Sequence, residues 1–179
     1  ILEVEFNEKN NAVFKLESLA RMQGIVSTDA HSALSDSIMT AKVLNIVKKK
    51  QPETWESFFK TANKSDTETI IKKGEIITLN EYYYGKSRLH LVAPLHQKYC
   101  MHPIYAGWYY AFDLRIDIEP LLNLSINELK VEMKKSPKFL RTIRSNKAPI
   151  IVDAKYGMKA EPYSVMDKSL INKRADIVK

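Results

Sequence analysis

The chain has 179 residues, 45% of them apolar and 27% charged. That composition excludes disordered and collagen-like classes, and no apolar run approaches the ~20 residues of a membrane-spanning helix. Net charge is +7, unevenly placed: residues 1 to 47 carry −2 and residues 48 to 179 carry +9, a field that draws in polyanions. The chain begins with Ile1, and no charged-then-apolar leader follows, so it reads as an internal stretch of a longer protein. The single cysteine, Cys100, makes no internal disulfide, which favours a reducing compartment.

In chain order, residues 1 to 13 read as a loop around Asn10-Asn11. Phe14, Leu16, Leu19 and Ala20 have helical spacing, and Gly24 is placed to stop that helix. A second helix is predicted from about Ser32 to Lys49, capped by Thr28 or Asp29 and ending before Gln51-Pro52. A third centres on Trp55, Phe58 and Phe59. After Asn63 come short β-branched or aromatic runs at Ile70-Ile71, Ile76 to Leu79, Tyr82 to Tyr84, Leu89 to Val92, Trp108 to Leu114 and Pro149 to Val152. In the run at 108, Trp108, Tyr110, Phe112 and Leu114 alternate with Tyr109, Ala111 and Asp113, the pattern of a half-buried strand. Ser125-Ile126-Asn127-Glu128 is a capping box ahead of a helix to about Lys135. Ser136-Pro137 opens a short helix through Arg144, and a last helix covers Lys168 to Val178. The organisation is a helical segment to about residue 60, then a small, mostly β module.

The stretch with chemical content is Ala30-His31-Ser32-Ala33-Leu34-Ser35-Asp36. At about 100° per residue, with Ala33 at zero, Val43 falls near 280°, Asp36 near 300° and Val47 near 320°. Asp36 therefore sits in an apolar stripe, and the stripe predicts a carboxylate turned toward the packed side. A buried carboxylate needs a partner, a hydrogen-bond donor or a metal ion. His31 lies at or just before the helix start, able to lean over the same cleft.

Phe14-Lys15-Leu16-Glu17-Ser18-Leu19-Ala20, Gly24-Ile25 and Ala30-His31-x-Ala33-Leu34-x-Asp36 together resemble the third motif of the DEDD exonucleases, in the histidine variant. Further landmarks follow in order: Lys50-Gln51-Pro52, Val92-Ala93-Pro94-Leu95, Asp113-Leu114, Asp117-Ile118-Glu119-Pro120-Leu121-Leu122 and Asn146-Lys147-Ala148-Pro149. The ordered set is similar to the exodeoxyribonuclease I family over essentially the whole chain. That resemblance implies an α+β architecture. Residues 1–50 would be the C-terminal helices of a ribonuclease H-like exonuclease domain, and residues 51–179 an SH3-like β-barrel domain with extra helices. It also implies a bacterial, cytoplasmic 3′→5′ exonuclease of single-stranded DNA, active in repair and recombination.

By the same resemblance Asp36 is the last of four acidic ligands to two Mg²⁺ ions, with Mn²⁺ the alternative, and His31 is the general base. The earlier acidic motifs are expected upstream. Glu3-Val4-Glu5 has the D-x-E spacing but neither the apolar strand nor the following turn, and is rejected as a ligand pair. The fragment alone is therefore expected to be inactive. The expected partners are single-stranded DNA and, through the family alone, single-strand DNA-binding protein; a monomer without membrane contact is expected. Candidate DNA contacts combine cations with aromatic rings: Lys73, Tyr84, Lys86 and Arg88, and a helical ridge with Arg141, Arg144 and Lys147. A noncatalytic SH3-like module that binds single-stranded nucleic acid or a partner protein is the alternative. His96, Cys100 and His102 form too sparse a set for zinc and are read as part of a loop.

Overall fold

Asn10 takes a left-handed conformation at φ +56°, which Asn tolerates better than most residues. Around it the Asn7 side chain accepts from the Lys9 and Asn11 N–H groups at 3.0 Å. These bonds close a small hairpin of β1 (Glu5–Phe6) and β2 (Ala12–Val13), where a loop was expected. The computed structural model describes residues 2–26, 32–83 and 86–179. It divides into two compact units, Ile1–Glu56 with Tyr82–Ser87, and Ser57–Glu81 with Arg88–Lys179.

In the first unit α1 (Leu16–Met22) ends where the glycine predicts. Gly24 has φ +72°, and the N–H groups of Gly24 and Ile25 donate to Arg21 and Ala20 carbonyls. The next helix, α2 (Ala33–Lys50), is capped by Ser32, whose Oγ accepts from Ser35 N–H at 3.1 Å. The expected caps, Thr28 and Asp29, lie outside the described residues. Ala20, Met39 and Val43 bury the contact of α1 with α2. Leu34, Ile38 and Leu44 on α2 stay exposed. Then α3 (Pro52–Lys60) begins at the proline that ended α2, with Pro in a helix's first turn as its missing N–H allows.

Ile70-Ile71, read above as a strand, lies in α4 (Lys64–Lys72). Asn63 caps this helix by accepting from Asp66 N–H at 2.9 Å, and Thr67 and Ile71, four apart, are buried. A five-stranded sheet follows: β3 (Ile77–Tyr83), β4 (Lys86–Pro94), β5 (Trp108–Asp113), β6 (Leu140–Arg144) and β7 (Ile150–Asp153), in the order β6-β5-β4-β3-β7. Its connections and flanks hold α5 (Gln97–Cys100), α6 (Glu119–Leu122), α7 (Ile126–Glu132), α8 (Ala154–Gly157) and α9 (Lys168–Val178). The Ser125–Glu128 capping box opens α7 as predicted. The fold is α+β. Among the described residues β6 and β7 each pair on one side only, so the sheet is open rather than a closed barrel.

Two cores lie against this sheet. One gathers Ile71, Leu79, Val92, Tyr109, Ala111 and Ile143. The other gathers Leu91, Phe112, Leu114, Tyr163, Ile171 and Ala175. Both alternating sets of β5 are thus buried toward its end, correcting the half-buried pattern: Ala111, Phe112 and Asp113 are all inside. The helix expected through Arg144 is instead β6, paired antiparallel with β5 from Phe112↔Leu140 to Trp108↔Arg144. The ladder satisfies backbone groups and seats Ile143 in the core, which outweighs local helical preference. The helical ridge does not form: Arg141 and Arg144, three apart on β6, point to opposite sides of the strand, and Lys147 lies in the short 3-10 turn Ser145–Lys147.

Candidate functional site

Asp36 shares a face of α2 with Met39 and Val43, three and seven residues on, as its angle predicts. Its carboxylate is nevertheless exposed. The buried patch on α2 lies at Met39 and Val43, against Ala20 of α1, and the first turn of α2 lies outside it. Burial was therefore the wrong expectation: direction follows from helical periodicity, but burial needs a covering element. Among the described residues Asp36 is in no ion pair with Lys or Arg. His31 lies outside the described residues. A two-ion centre needs several converging carboxylates, and among the described residues no three His, Cys, Asp or Glu groups converge to hold a metal. These residues do not fit such a centre by themselves.

A polar row centred on buried His90 and Asp113 crosses the second unit. Glu81 on β3, His90 on β4, Asp113 on β5 and Arg141 on β6 come from four successive strands. His90 Nε2 lies 3.3 Å from Glu81 Oε2, and its Nδ1 lies 3.3 Å from Asp113 Oδ2. Arg141 reaches Asp113 through Nε and Nη2 at 3.2 and 3.1 Å, and Glu81 through Nη1 at 3.3 Å. Arg115 Nη2 adds a contact at 3.1 Å.

Asp113 is fully buried. Burial works to raise its pKa, but the adjacent His90, the bond from Tyr163 and the two guanidinium groups prevail and hold it low. Glu81 is lowered chiefly by the imidazole of His90 beside it. Burial disfavours charged His90, yet the two carboxylates outweigh it and raise its pKa. The row was invisible in sequence, since its members lie up to 60 residues apart.

Of the predicted DNA contacts, Lys73, Lys86, Arg88, Arg144 and Lys147 are exposed, and Tyr84 lies outside the described residues. Arg141 is largely spent on Asp113 and Glu81, its side chain only 10% exposed. Arg141, Arg144 and Lys147 do line one groove of about 390 Å³, with Glu81, Asn80 and Thr142. Sequence reading missed the ring cluster beside it. Arg144 Cζ stands 4.2 Å over the Trp108 ring, and Tyr105 lies 4.6 Å from Trp108 between centroids. The Trp108/Tyr110 alternation was the available signal. The groups weighed for zinc are locally engaged: His96 Nδ1 accepts from Lys98 N–H, Cys100 Sγ donates to the Gln97 carbonyl, and His102 Nδ1 accepts from Ile104 and Tyr105 N–H. Part of that expected loop is α5.

No family model matches the chain. Exodeoxyribonuclease I of Haemophilus influenzae is 30% identical over 158 residues, which are 79% of this chain and 32% of that protein. Exodeoxyribonuclease I of Buchnera aphidicola from Acyrthosiphon pisum is 32% identical over 127 residues, 66% of this chain and 29% of the relative. The chain thus spans about a third of the length of the curated relatives it matches. Among solved structures, exonuclease I of Methylocaldum szegediense aligns with a TM-score of 0.69 at 22% identity, over 98% of this chain and 39% of the other. Escherichia coli exonuclease I in complex with a 5cy-dT13 oligonucleotide aligns at 0.66 and 21% identity, with the same coverage. An ExoI/SSB-Ct complex aligns at 0.66 and 22% identity. In sequence and in fold, the chain is a relative of one part of the exodeoxyribonuclease I family.

Proposed function

We propose that the chain is part of a 3′→5′ exodeoxyribonuclease that hydrolyses single-stranded DNA to nucleotides. In this reading residues 1–50 close the exonuclease domain and residues 51–179 form its SH3-like domain. The observation that carries it is sequence similarity to exodeoxyribonucleases I across most of the chain. The proposal extends to a bacterial cytoplasmic enzyme of repair and recombination, dependent on Mg²⁺ or Mn²⁺. Divalent ions would activate water and neutralise charge on the phosphate. Asp36 would supply one of their ligands and His31 would accept the proton of the attacking water, an imidazole's charge change falling near neutral pH. The remaining ligands would come from outside this chain.

The net +9 of residues 48 to 179 supports a role in holding the DNA backbone. Lys73, Tyr84, Lys86, Arg88, Arg144 and Lys147 are the proposed contacts, and Arg141 acts through its place in the groove floor. Single-stranded DNA is the proposed substrate and single-strand DNA-binding protein a proposed partner, in line with the oligonucleotide and SSB-Ct complexes of the similar exonucleases. The exposure of Asp36, with no metal-holding cluster among the described residues, favours as a second reading a noncatalytic SH3-like module that binds single strands.

The deciding assay is Mg²⁺-dependent release of mononucleotides from 3′-labelled single-stranded DNA. This chain alone is expected to release none, whereas the protein encoded by the full reading frame releases them and loses that activity on Asp36→Asn. Full activity of the Asp36→Asn protein would overturn the assignment, and an inert full-length protein that still binds DNA would establish the noncatalytic module.

A further inference from the structure

On one face of the β5–β6 ladder the cross-strand pairs Trp108↔Arg144, Tyr110↔Thr142 and Phe112↔Leu140 follow one another. The Phe112 end is sealed in the core, with Phe139 and Leu140 against it. The other end is only partly covered: Trp108 and Tyr110 keep intermediate exposure and Arg144 is exposed. We infer that this uncovered end is a stacking platform for unpaired bases of single-stranded nucleic acid, built from Tyr105, Trp108 and Tyr110 and flanked by Arg144 and Lys147.

Three observations carry the assignment, which rests on the nucleic-acid reading proposed above. First, the rings form one contiguous surface. Tyr105 and Trp108 are 4.6 Å apart between centroids, His102 and Tyr105 4.7 Å, and His102 and Tyr110 5.3 Å. Trp108 and Tyr110, two residues along a strand, lie about 7 Å apart along its axis. Tyr105 is 51% exposed and offers the outermost ring.

Second, the loop that presents Tyr105 is already fixed. His102 Nδ1 accepts from the Ile104 and Tyr105 N–H groups at 3.1 Å, His102 N–H donates to the Trp108 carbonyl at 2.7 Å, and Trp108 N–H donates to the Tyr105 carbonyl at 3.1 Å. A ring held in advance loses little freedom when a ligand arrives.

Third, cations prevail in the grooves beside the rings, and the nearby Glu68 is engaged by Ser145 and Lys64. The groove of about 290 Å³ that continues from Tyr110 is lined by Met133, Lys138, Phe139, Leu140 and Thr142, with no carboxylate among the described residues. Arg144 and Lys147 stand at the other side, in the groove whose only carboxylate among the described residues, Glu81, is engaged by Arg141. Rings for bases and cations for phosphates, interleaved on an open strand face, are what a sequence-tolerant single-strand site requires. An acidic peptide would use the cations but leave the ring faces idle.

The test uses the full chain with Trp55→Phe, which leaves Trp108 as the sole tryptophan. Titration with short oligothymidylate is expected to quench Trp108 emission in step with binding. Tyr105→Ala is expected to weaken binding roughly tenfold or more without altering its salt dependence, and Tyr105→Phe to restore it. Arg144→Gln is expected to lower the salt slope by about 0.7. Binding that leaves Trp108 emission unmoved, or that Tyr105→Ala does not weaken, overturns the platform and leaves DNA binding elsewhere on the chain intact. Absence of any oligonucleotide binding, or quenching by an acidic peptide in its place, also overturns it. The nuclease reading stands or falls separately, on the Asp36→Asn assay.

Discussion

The Tyr163 hydroxyl donates to Asp113 Oδ1 at 2.6 Å, joining residues 50 apart in the chain. The carboxylate that receives it is fully buried and also faces His90, Arg115 and Arg141. A buried charge is tolerated at this cost only when every partner is in place. Asp113 is therefore a keystone of the second unit, tying β5 to β4, to β6 and to the turn that carries Tyr163.

Removing one side of such a network leaves the other charges uncompensated. Asp113→Ala is expected to destabilise the second unit by about 3–5 kcal/mol. Tyr163→Phe removes a single bond to a charged acceptor and is expected to cost about 1.5–3 kcal/mol. Urea titrations of both variants against the parent measure the difference, and equal stability for Asp113→Ala would refute the keystone role.

Stability should also depend on pH from two directions. The folded pKa of His90 is raised above its ordinary 6.5. Its contribution is therefore complete below that value and lost as pH rises through the folded pKa. Glu81 and Asp113 are lowered from 4.5 and 3.8, so theirs is present above those values and lost as pH falls. The urea midpoint is expected to peak between about 4.5 and 6.5. His90→Gln is expected to flatten the alkaline limb, and a parent midpoint that climbs between neutral and alkaline pH would contradict the sign.

Arg141 and Arg144 lie three residues apart with different tasks. Arg141 bonds two carboxylates with its side chain nearly enclosed, whereas Arg144 lies exposed over Trp108. Arg141→Gln is expected to cost about 3 kcal/mol or more of stability. Arg144→Gln is expected to change it by less than about 0.5 kcal/mol. Thermal melts of the pair decide this; matched losses would put Arg144 in the fold as well.

Gly157, at the end of α8, sits where a side chain has no room. A Cβ there would meet Thr78 Oγ1 at 2.6 Å and Leu91 Cδ1 at 3.0 Å, and its N–H donates to that same Thr78 oxygen at 3.0 Å. Gly157→Ala is expected to destabilise by about 1–3 kcal/mol through overpacking. Adding Thr78→Ala should recover part of the loss, and a stable single variant in chemical denaturation would show that the contact yields.

Local chemistry was legible in the sequence. Gly24 stops α1, Pro52 separates α2 from α3, Ser125 and Glu128 open α7, and α9 spans Lys168–Val178 as expected. Each of these depends on groups within a few residues of one another, so the order of residues suffices. The resemblance through Asp36 and the later landmarks was legible for the same reason: it is a property of the sequence itself.

Tertiary structure alone decided which way ambiguous segments went and what each polar group does. Ile70-Ile71 became helical when Asn63 capped α4, and residues 140–144 became a strand when β5 offered a partner. Asp36 kept the direction its periodicity dictates but not the burial, because burial depends on what packs over a residue. Asp113, one charge among many in the chain, acquired its role only when strands far apart in sequence brought His90, Arg141 and Tyr163 around it. Direction along a helix or strand is set by backbone geometry, whereas enclosure and pairing are set by neighbours that local sequence does not specify.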